Sequence, residues 1–222
     1  MSTFFEAPQN RMTSFYPKTP GSWRNWLQLN HKIKSSIWLV FHNKSSKRPT
    51  ITWSEAVDEA ICFGWIDSKK VKIDQETFHQ YFSVRKPQSV WSKINKEKVE
   101  VLTKKGLMAS AGIKSVAIAK KNGSWFTYDD AESLTIPSDL QAAFDANPGS
   151  KSLFDELSES KRKFMLRWIA LAKRQETRQS RVYEASRATK SATPKKNPPV
   201  RTVRRKLKTG KVAFETSNEK ST

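Results

Sequence analysis

The stretch Ile61-Cys-Phe-Gly-Trp-Ile-Asp67 decides the fold of this 222-residue chain, because a helix ends and an extended segment begins within it. Upstream, Thr52-Trp-Ser-Glu55 has the spacing of a capping box, in which two polar side chains each meet a free backbone amide. Apolar residues then recur at helical spacing, which predicts a helix over 53–63. Gly64 permits a sharp turn after that helix. We therefore expect the chain to pass straight from a helix into a strand.

Extended segments on both sides of that helix predict a small sheet. Ile37-Trp-Leu-Val-Phe41 is apolar throughout, which is typical of a buried central strand, and residues 65–73 and 77–84 have the pattern of a hairpin. Further helices are predicted over 22–34, 93–105, 113–122, 138–146, 153–157, 160–173 and 176–188, with Ser22 capping the first and Ser89 or Ser92 the second. The predicted class is α+β: a small antiparallel sheet flanked by helices, with a helical C-terminal region.

The predicted domain organisation is one folded body and one tail. Residues 1–188 are expected to form a single α+β domain with a helical subregion at about 137–188. Residues 189–222 combine prolines and charges with little apolar material, which predicts a disordered basic tail.

The chain is strongly basic, with 41 Lys+Arg against 21 Asp+Glu, a net charge of +20 and a pI near 10.1. From Arg187 to the end there are 11 basic and 2 acidic residues, so +9 lies there and +11 on residues 1–186. Such charge favours polyanionic partners. One functional hypothesis is therefore non-specific nucleic-acid association through the basic tail.

Several site types and locations are disfavoured by the sequence. Cys62 is the single cysteine, so no intrachain disulfide is expected, and the start of the chain has neither a signal peptide nor a membrane span. We expect a cytoplasmic protein, monomeric or weakly dimeric. His31, His42 and His79 match no metal-ligand spacing, and no phosphate-binding glycine loop occurs, so neither a metal nor a cofactor is predicted.

A hydrolase is the weakest functional hypothesis, because its candidate catalytic residues have simpler structural interpretations. Cys62 lies at the end of the predicted helix, a position that favours a buried structural thiol over a nucleophile. Asp67 and Asp74 bracket a predicted strand and could converge as an acid/base pair, although turn residues that accept backbone amides are the simpler interpretation.

The strongest candidate site follows the second hairpin strand. Two cations, two hydroxyls and an amide side chain precede or open a predicted helix, whose first backbone amides and dipole favour an anion. The predicted anion groove comprises Trp65, Asp67, Arg85, Lys86, Ser89, Trp91, Ser92 and Asn95. The alternative, that the two serines only cap the helix while the cations face water, is weighted equally.

A second cluster joins the last two predicted helices. Arg174, Arg178 and Arg181 could hold an acidic loop through bidentate hydrogen bonds, with Thr177 or Glu176 capping the final helix. We interpret these residues as a structural latch of ion pairs.

Several of these motifs, in order, resemble one bacterial family. The chain is similar to the YdeI/OmpD-associated, or bacteriocin-protection, family from about Phe4 to Arg187. The residues that carry this resemblance are Trp23-Arg-Asn-Trp-Leu27, Cys62-Phe-Gly-Trp-Ile-Asp67, Arg85-Lys86 with Ser89-x-Trp-Ser92, Gly106-x-Met108 with Gly112, and Glu176-Thr-Arg178. Relatives usually have Thr-Pro where this chain has Ser83-Val84.

The resemblance implies a role in tolerance of bacteriocins, cationic peptides and envelope stress, with no reaction, cofactor or catalytic residue to carry over. Combined with the predicted groove, it suggests a non-enzymatic stress-tolerance protein that binds a small anion or an acidic peptide.

Overall fold

The computed structural model describes residues 13–187, and its class is α+β as predicted. In chain order the elements are β1 (Ser14–Phe15), α1 (Pro20–Asn30), β2 (Ser36–His42), a 3-10 helix (Lys44–Ser46), α2 (Trp53–Cys62), β3 (Trp65–Lys72), β4 (Thr77–Val84), α3 (Lys93–Lys104), α4 (Ser110–Lys121), α5 (Asp129–Glu132), α6 (Ser138–Asp145), α7 (Ser150–Asp155), α8 (Glu159–Ala170) and α9 (Gln175–Ser186). The predicted tail, 189–222, lies outside the described residues.

The sheet has the order β1-β2-β4-β3. β2 and β3 both pair antiparallel to β4, with Ile37 opposite Phe82 and Trp65 opposite Val84, so the predicted hairpin and central strand are confirmed. β1 adds a parallel pairing and makes the sheet mixed. Two residues are too short to show a periodic pattern, which explains why the sequence did not predict this strand.

Helix α2 begins as the capping box predicted. The Thr52 side chain accepts a hydrogen bond from the Glu55 amide at 3.2 Å, and the Glu55 carboxylate accepts one from the Thr52 amide at 2.7 Å. These bonds to the charged form lower the pKa of Glu55. Trp23 of α1 also binds α2, because its Nε1 donates a hydrogen bond to the Ala56 carbonyl at 3.1 Å.

Helix α1 corrects the predicted cap. Its N-cap is Thr19, and Ser22 is the second partner of a capping box rather than the cap itself. Pro20 begins the helix, because proline at the first helical position loses no hydrogen bond. The helix ends at Asn30, four residues before the predicted end, and Ile33 is 75 % exposed.

The remaining helices lie near their predicted positions. Ser92 caps α3 by accepting from the Asn95 amide, which decides between the two predicted caps. α4 begins at Ser110, three residues earlier than predicted. The residues between α4 and α6, for which no element is predicted, contain the short helix α5.

The described residues contain two hydrophobic clusters. The first spans residues 23–125 and includes Trp23, Trp65 and Trp91, each at most 1 % exposed. The second spans residues 131–185, where Leu140 and Met165 are fully buried. Each such side chain contributes roughly 2–3 kcal/mol of burial free energy. The prediction that 1–188 is a single domain stays a prediction.

A close backbone contact joins α2 to α4. Gly64 has a φ of +72°, and the Ala109 amide donates to the Cys62 carbonyl at 3.0 Å. A Cβ on Gly112 would lie 2.3 Å from the Cys62 carbonyl oxygen, so only glycine allows this approach. The contact places the first half of α4 beside the turn between α2 and β3.

Over residues 13–187, no helix is both long and apolar enough to cross a bilayer. The same residues contain no group of three or more His, Cys, Asp or Glu side chains that could hold a metal ion.

Candidate functional site

A cavity of about 400 Å³ lies where α4 approaches the turn between α2 and β3. Its volume is in the range of small-molecule sites. The residues that line it are His31, Lys32, Phe63, Gly64, Trp65, Val84, Arg85, Pro87, Ser110, Ala111, Lys114, Ser115 and Ile118. Four parts of the fold supply them: the end of α1, the α2–β3 turn, the end of β4 and one face of α4.

Arg85 is the buried charge of this cavity. Its side chain follows β4, its backbone amide donates to the Gly64 carbonyl at 2.9 Å, and the residue is only 6 % exposed. The guanidinium lies 3.7 Å from the centre of the Trp91 ring, and Nη1 donates to the Val90 carbonyl at 3.1 Å. Among residues 13–187, Nε and Nη2 find no hydrogen-bond partner.

Burial lowers the pKa of Arg85 to about 10, although the negative charge of Asp67 opposes that shift. The guanidinium therefore keeps its charge at pH 7. A buried cation with unpartnered donors is costly, and stacking on an aromatic face compensates only part of that cost. Arg85 also lines the cavity, so its charge lies beside that space.

The aromatic wall of the cavity is fixed by the core. Trp65 is 1 % exposed and packs edge-on against Trp23 and Trp26. Phe63 is held between the His31 ring, 5.2 Å away, and the Arg24 guanidinium, 5.4 Å from its centroid. Because these rings are packed from behind, the wall exists before any ligand arrives.

Helix α4 gives the cavity its polar side. No side chain caps its N-terminus, where Ala109 is the N-cap residue, and the positive end of the helix dipole therefore lies at Ser110 and Ala111. Lys114 lies one turn further on, and Lys32 approaches from the end of α1; both are exposed. The cavity thus combines one buried and two exposed cations.

Two of the eight residues of the predicted groove line this cavity, Trp65 and Arg85. Trp91 lies beneath the Arg85 guanidinium instead. The Asp67 carboxylate accepts hydrogen bonds from Trp53 Nε1 at 3.0 Å and Gln80 Nε2 at 3.1 Å, so it is satisfied within the protein. Its interpretation as a turn residue is wrong, because Asp67 lies within β3 and its partners are side chains.

The other four groove residues lie around the start of α3. Lys86 is exposed, and the Ser89 amide donates to its carbonyl. Ser92 and Asn95 form the helix cap through the Asn95 amide and the Ser92 hydroxyl. These residues therefore act locally, at the start of α3.

The surroundings of Asp74 and Cys62 indicate structural roles for both residues. Asp74 accepts from the amides of Glu76 and Thr77 at 2.7 Å each, which confirms its interpretation as a turn residue. It lies at the hairpin turn, seven residues from Asp67, or about 20 Å along an extended strand. Cys62 is 0 % exposed, and burial raises the pKa of its thiol.

One arginine of the predicted latch, Arg178, forms an ion pair, and the predicted cap of the last helix is wrong. Arg178 binds Asp139 at two points, 2.6 and 3.0 Å, which joins α9 to α6. Arg181 packs over the Trp168 ring, 5.1 Å from its centroid. The cap of α9 is Arg174, which makes no side-chain cap bond, so neither Thr177 nor Glu176 caps that helix. The loop before α9 leaves Gln175 as the first helical residue, and both proposed caps already lie inside it.

A second groove, of about 550 Å³, lies between α3 and α4 and is lined in part by Met108, Ile113 and Val116. Its charged side chains, Glu100 and Lys104 among them, are exposed. We therefore take the cavity with the buried Arg85 as the candidate site.

Sequence reasoning missed the α4 side of the cavity. Ser110 precedes the helix predicted over 113–122, and Lys114 and Ser115 have no predicted role. Gly64 and Gly112 held the available signal, because glycine occurs where two backbone segments approach closely. The sequence did not indicate that both glycines lie at the contact between α2 and α4.

Family comparisons match the two halves of the chain separately. Residues 133–190 match the family described as "Bacteriocin-protection, YdeI or OmpD-Associated", which confirms the predicted resemblance there. Residues 15–115 match a domain of unknown function (DUF8412). No curated protein and no solved structure matches the chain.

Proposed function

We propose that this chain, whose residues 133–190 match the bacteriocin-protection family, is a cytoplasmic bacterial stress-tolerance protein that binds a small anion or an acidic partner in the Arg85 cavity. In this proposal the protein binds its ligand without converting it. The family match supports the general role, and the cavity supports the binding activity.

The observation that carries the binding proposal is the burial of Arg85. A folded protein rarely encloses a charged guanidinium that leaves donors unpartnered, because the lost hydration is not recovered. Such a group is typical of a binding site whose ligand supplies the missing negative charge. Here it borders an open cavity of about 400 Å³ rather than closed packing.

Charge around the cavity supports the same ligand class. Lys32 and Lys114 are exposed at the cavity, where they can attract an anion from solvent, and the N-terminus of α4 adds its dipole. The net charge of +11 on residues 1–186 favours the approach of anions in general. Specific binding should therefore depend on the cavity cations, and unspecific attraction should disappear at high salt.

The test is calorimetric titration of the full chain with inorganic phosphate at low and high salt. Lys114→Ala should weaken binding about threefold, since an exposed cation contributes modestly, and Arg85→Met about tenfold or more. Lys121→Ala is the matched control, because Lys121 is also exposed on α4 but lines no cavity described here. Equal losses with Lys114→Ala and Lys121→Ala would mean unspecific attraction and would contradict the proposal.

The role in tolerance is tested separately. Bacterial cells that express the full chain should survive a bacteriocin better than cells that express Arg85→Met at the same level. Identical protection by both chains would show that tolerance does not depend on the Arg85 cavity.

A hydrolase that uses Cys62 receives no support from the geometry. The thiol is enclosed and its pKa is raised, whereas a nucleophilic cysteine needs exposure and a lowered pKa. Cys62 should therefore react with a thiol reagent such as DTNB only as fast as the protein unfolds. Rapid reaction in the folded state would reopen the hypothesis.

Nucleic-acid association remains the alternative prediction, and it concerns the residues after Arg187, outside the described range. It is distinguished from the cavity by its salt dependence and by its insensitivity to Arg85→Met.

A further inference from the structure

We propose that the cavity selects anions that carry a flat apolar body, such as an aromatic carboxylate or an aryl phosphate, over compact inorganic anions. This inference rests on the proposed function, because it specifies the ligand class of the same cavity.

The side chains that line the cavity are of two chemical kinds. The cations and hydroxyls come from α4, the end of α1 and Arg85. The apolar side chains include Val84, Pro87 and Ile118. A ligand that fills the cavity therefore meets both cations and apolar surface.

The apolar surface that a ligand can reach comes mainly from Val84 and its exposed neighbours. Phe63 and Trp65 are at most 5 % exposed, whereas Val84, next to Arg85, is 44 % exposed. A β-branched side chain left half exposed beside two buried aromatic rings is apolar surface that a bound molecule would remove from water.

The size of the cavity argues against a compact anion alone. About 400 Å³ is the volume of roughly a dozen water molecules. A phosphate or chloride ion would occupy a small part of it and leave Val84 exposed to water. An anion with one six-membered ring would fill much more of the space and would cover Val84 and Pro87.

Three matched probes test the inference by calorimetry on the full chain: acetate, benzamide and benzoate. Acetate offers the charge alone, benzamide the ring alone, and benzoate both. Benzoate should bind at least about tenfold more tightly than either other probe, because only benzoate can contact both the cations and the apolar side chains of the cavity.

Two variants on one helix separate the contributions. Ile118→Ala should lower the affinity for benzoate about threefold and leave that for acetate unchanged, whereas Lys114→Ala should lower both. Ile113→Ala is the control for Ile118→Ala, because Ile113 is on the same helix but lines the other groove. It should change neither affinity.

The outcomes distinguish the two proposals. If acetate and benzoate bind equally and Lys114→Ala weakens both, the cavity binds anions but the apolar-body inference is overturned. If neither anion binds, the proposed function fails as well. An equal effect of Ile118→Ala and Ile113→Ala on benzoate would also overturn the inference.

Discussion

The two halves of the described chain are held together by different means. The N-terminal cluster, residues 23–125, encloses four buried tryptophans and is closed by a backbone contact in which Gly112 lies against the Cys62 carbonyl. The C-terminal cluster, residues 131–185, has a smaller aromatic content and is crossed by two-point ion pairs, Arg178 with Asp139 and Arg167 with Glu132. The first half also contains ion pairs, such as Arg24 with Glu59, so the two halves differ in the close backbone contact and the larger aromatic content of the first.

This difference separates the family description from the candidate site. Every residue that lines the cavity lies between His31 and Ile118, almost entirely within the range that matches a domain of unknown function. The range that matches the bacteriocin-protection family, 133–190, contributes none of them. Which ligand the cavity binds and what the C-terminal half does are therefore two questions that need separate experiments.

The largest effect is expected from Gly112→Ala in the N-terminal half. The new Cβ would meet backbone atoms of Ile61 and Cys62, which cannot move as a flexible side chain would. We expect the free energy of unfolding to fall by about 3 kcal/mol, even though alanine favours helix, as measured by urea denaturation. Cavity binding should weaken with it, because α4 would be displaced.

Gly106→Ala is the control for that prediction. Gly106 also has a positive φ, +68°, but a Cβ there meets nothing within 4 Å. The cost should be limited to the backbone conformation, about 1 kcal/mol. Similar losses for both variants would show that the α2–α4 contact is not tight.

A smaller effect is expected when the ion pair of the C-terminal half is broken. A double-mutant cycle with Arg178→Gln and Asp139→Asn should give a coupling free energy of about 1 kcal/mol, reduced by salt, since both side chains are about one-third exposed. Asn at 139 can still accept from the Leu140 amide, so that bond is retained. The exposed pair Lys151 and Asp155 on α7 is the comparison, with an expected coupling of about 0.3 kcal/mol. Equal couplings would contradict the account of the latch.

The smallest effect concerns pH and the cap of α2. The pKa of Glu55 is lowered in the folded protein, so its carboxylate contributes stability that is fully present above its ordinary pKa of 4.5 and is lost as pH falls through the folded value. The free energy of unfolding should therefore change less between pH 6 and pH 3 in Glu55→Gln than in the unmodified protein. An unchanged pH profile would indicate that the cap contributes nothing measurable.

Local signals in the sequence predicted much of the first half. The capping box of Thr52 and Glu55, the hairpin and the turn role of Asp74 depend on residues within a few positions of each other, so spacing alone indicates them. The cavity depends on contacts between residues far apart, such as Gly64 with Ala111, and periodicity carries no information about such pairs. Arg85 was identified as a candidate for its charge, whereas its burial against Trp91 follows from tertiary packing.

The central claim is that the Arg85 guanidinium responds to an anion in the cavity. The most direct measurement is the nuclear magnetic resonance signal of Arg85 Nε–H, assigned by its absence in Arg85→Met, during a titration with benzoate. We predict that this signal shifts with saturation while the Nε–H signal of Arg178, paired with Asp139, stays in place. Saturation by benzoate that leaves the Arg85 signal unmoved would contradict the claim.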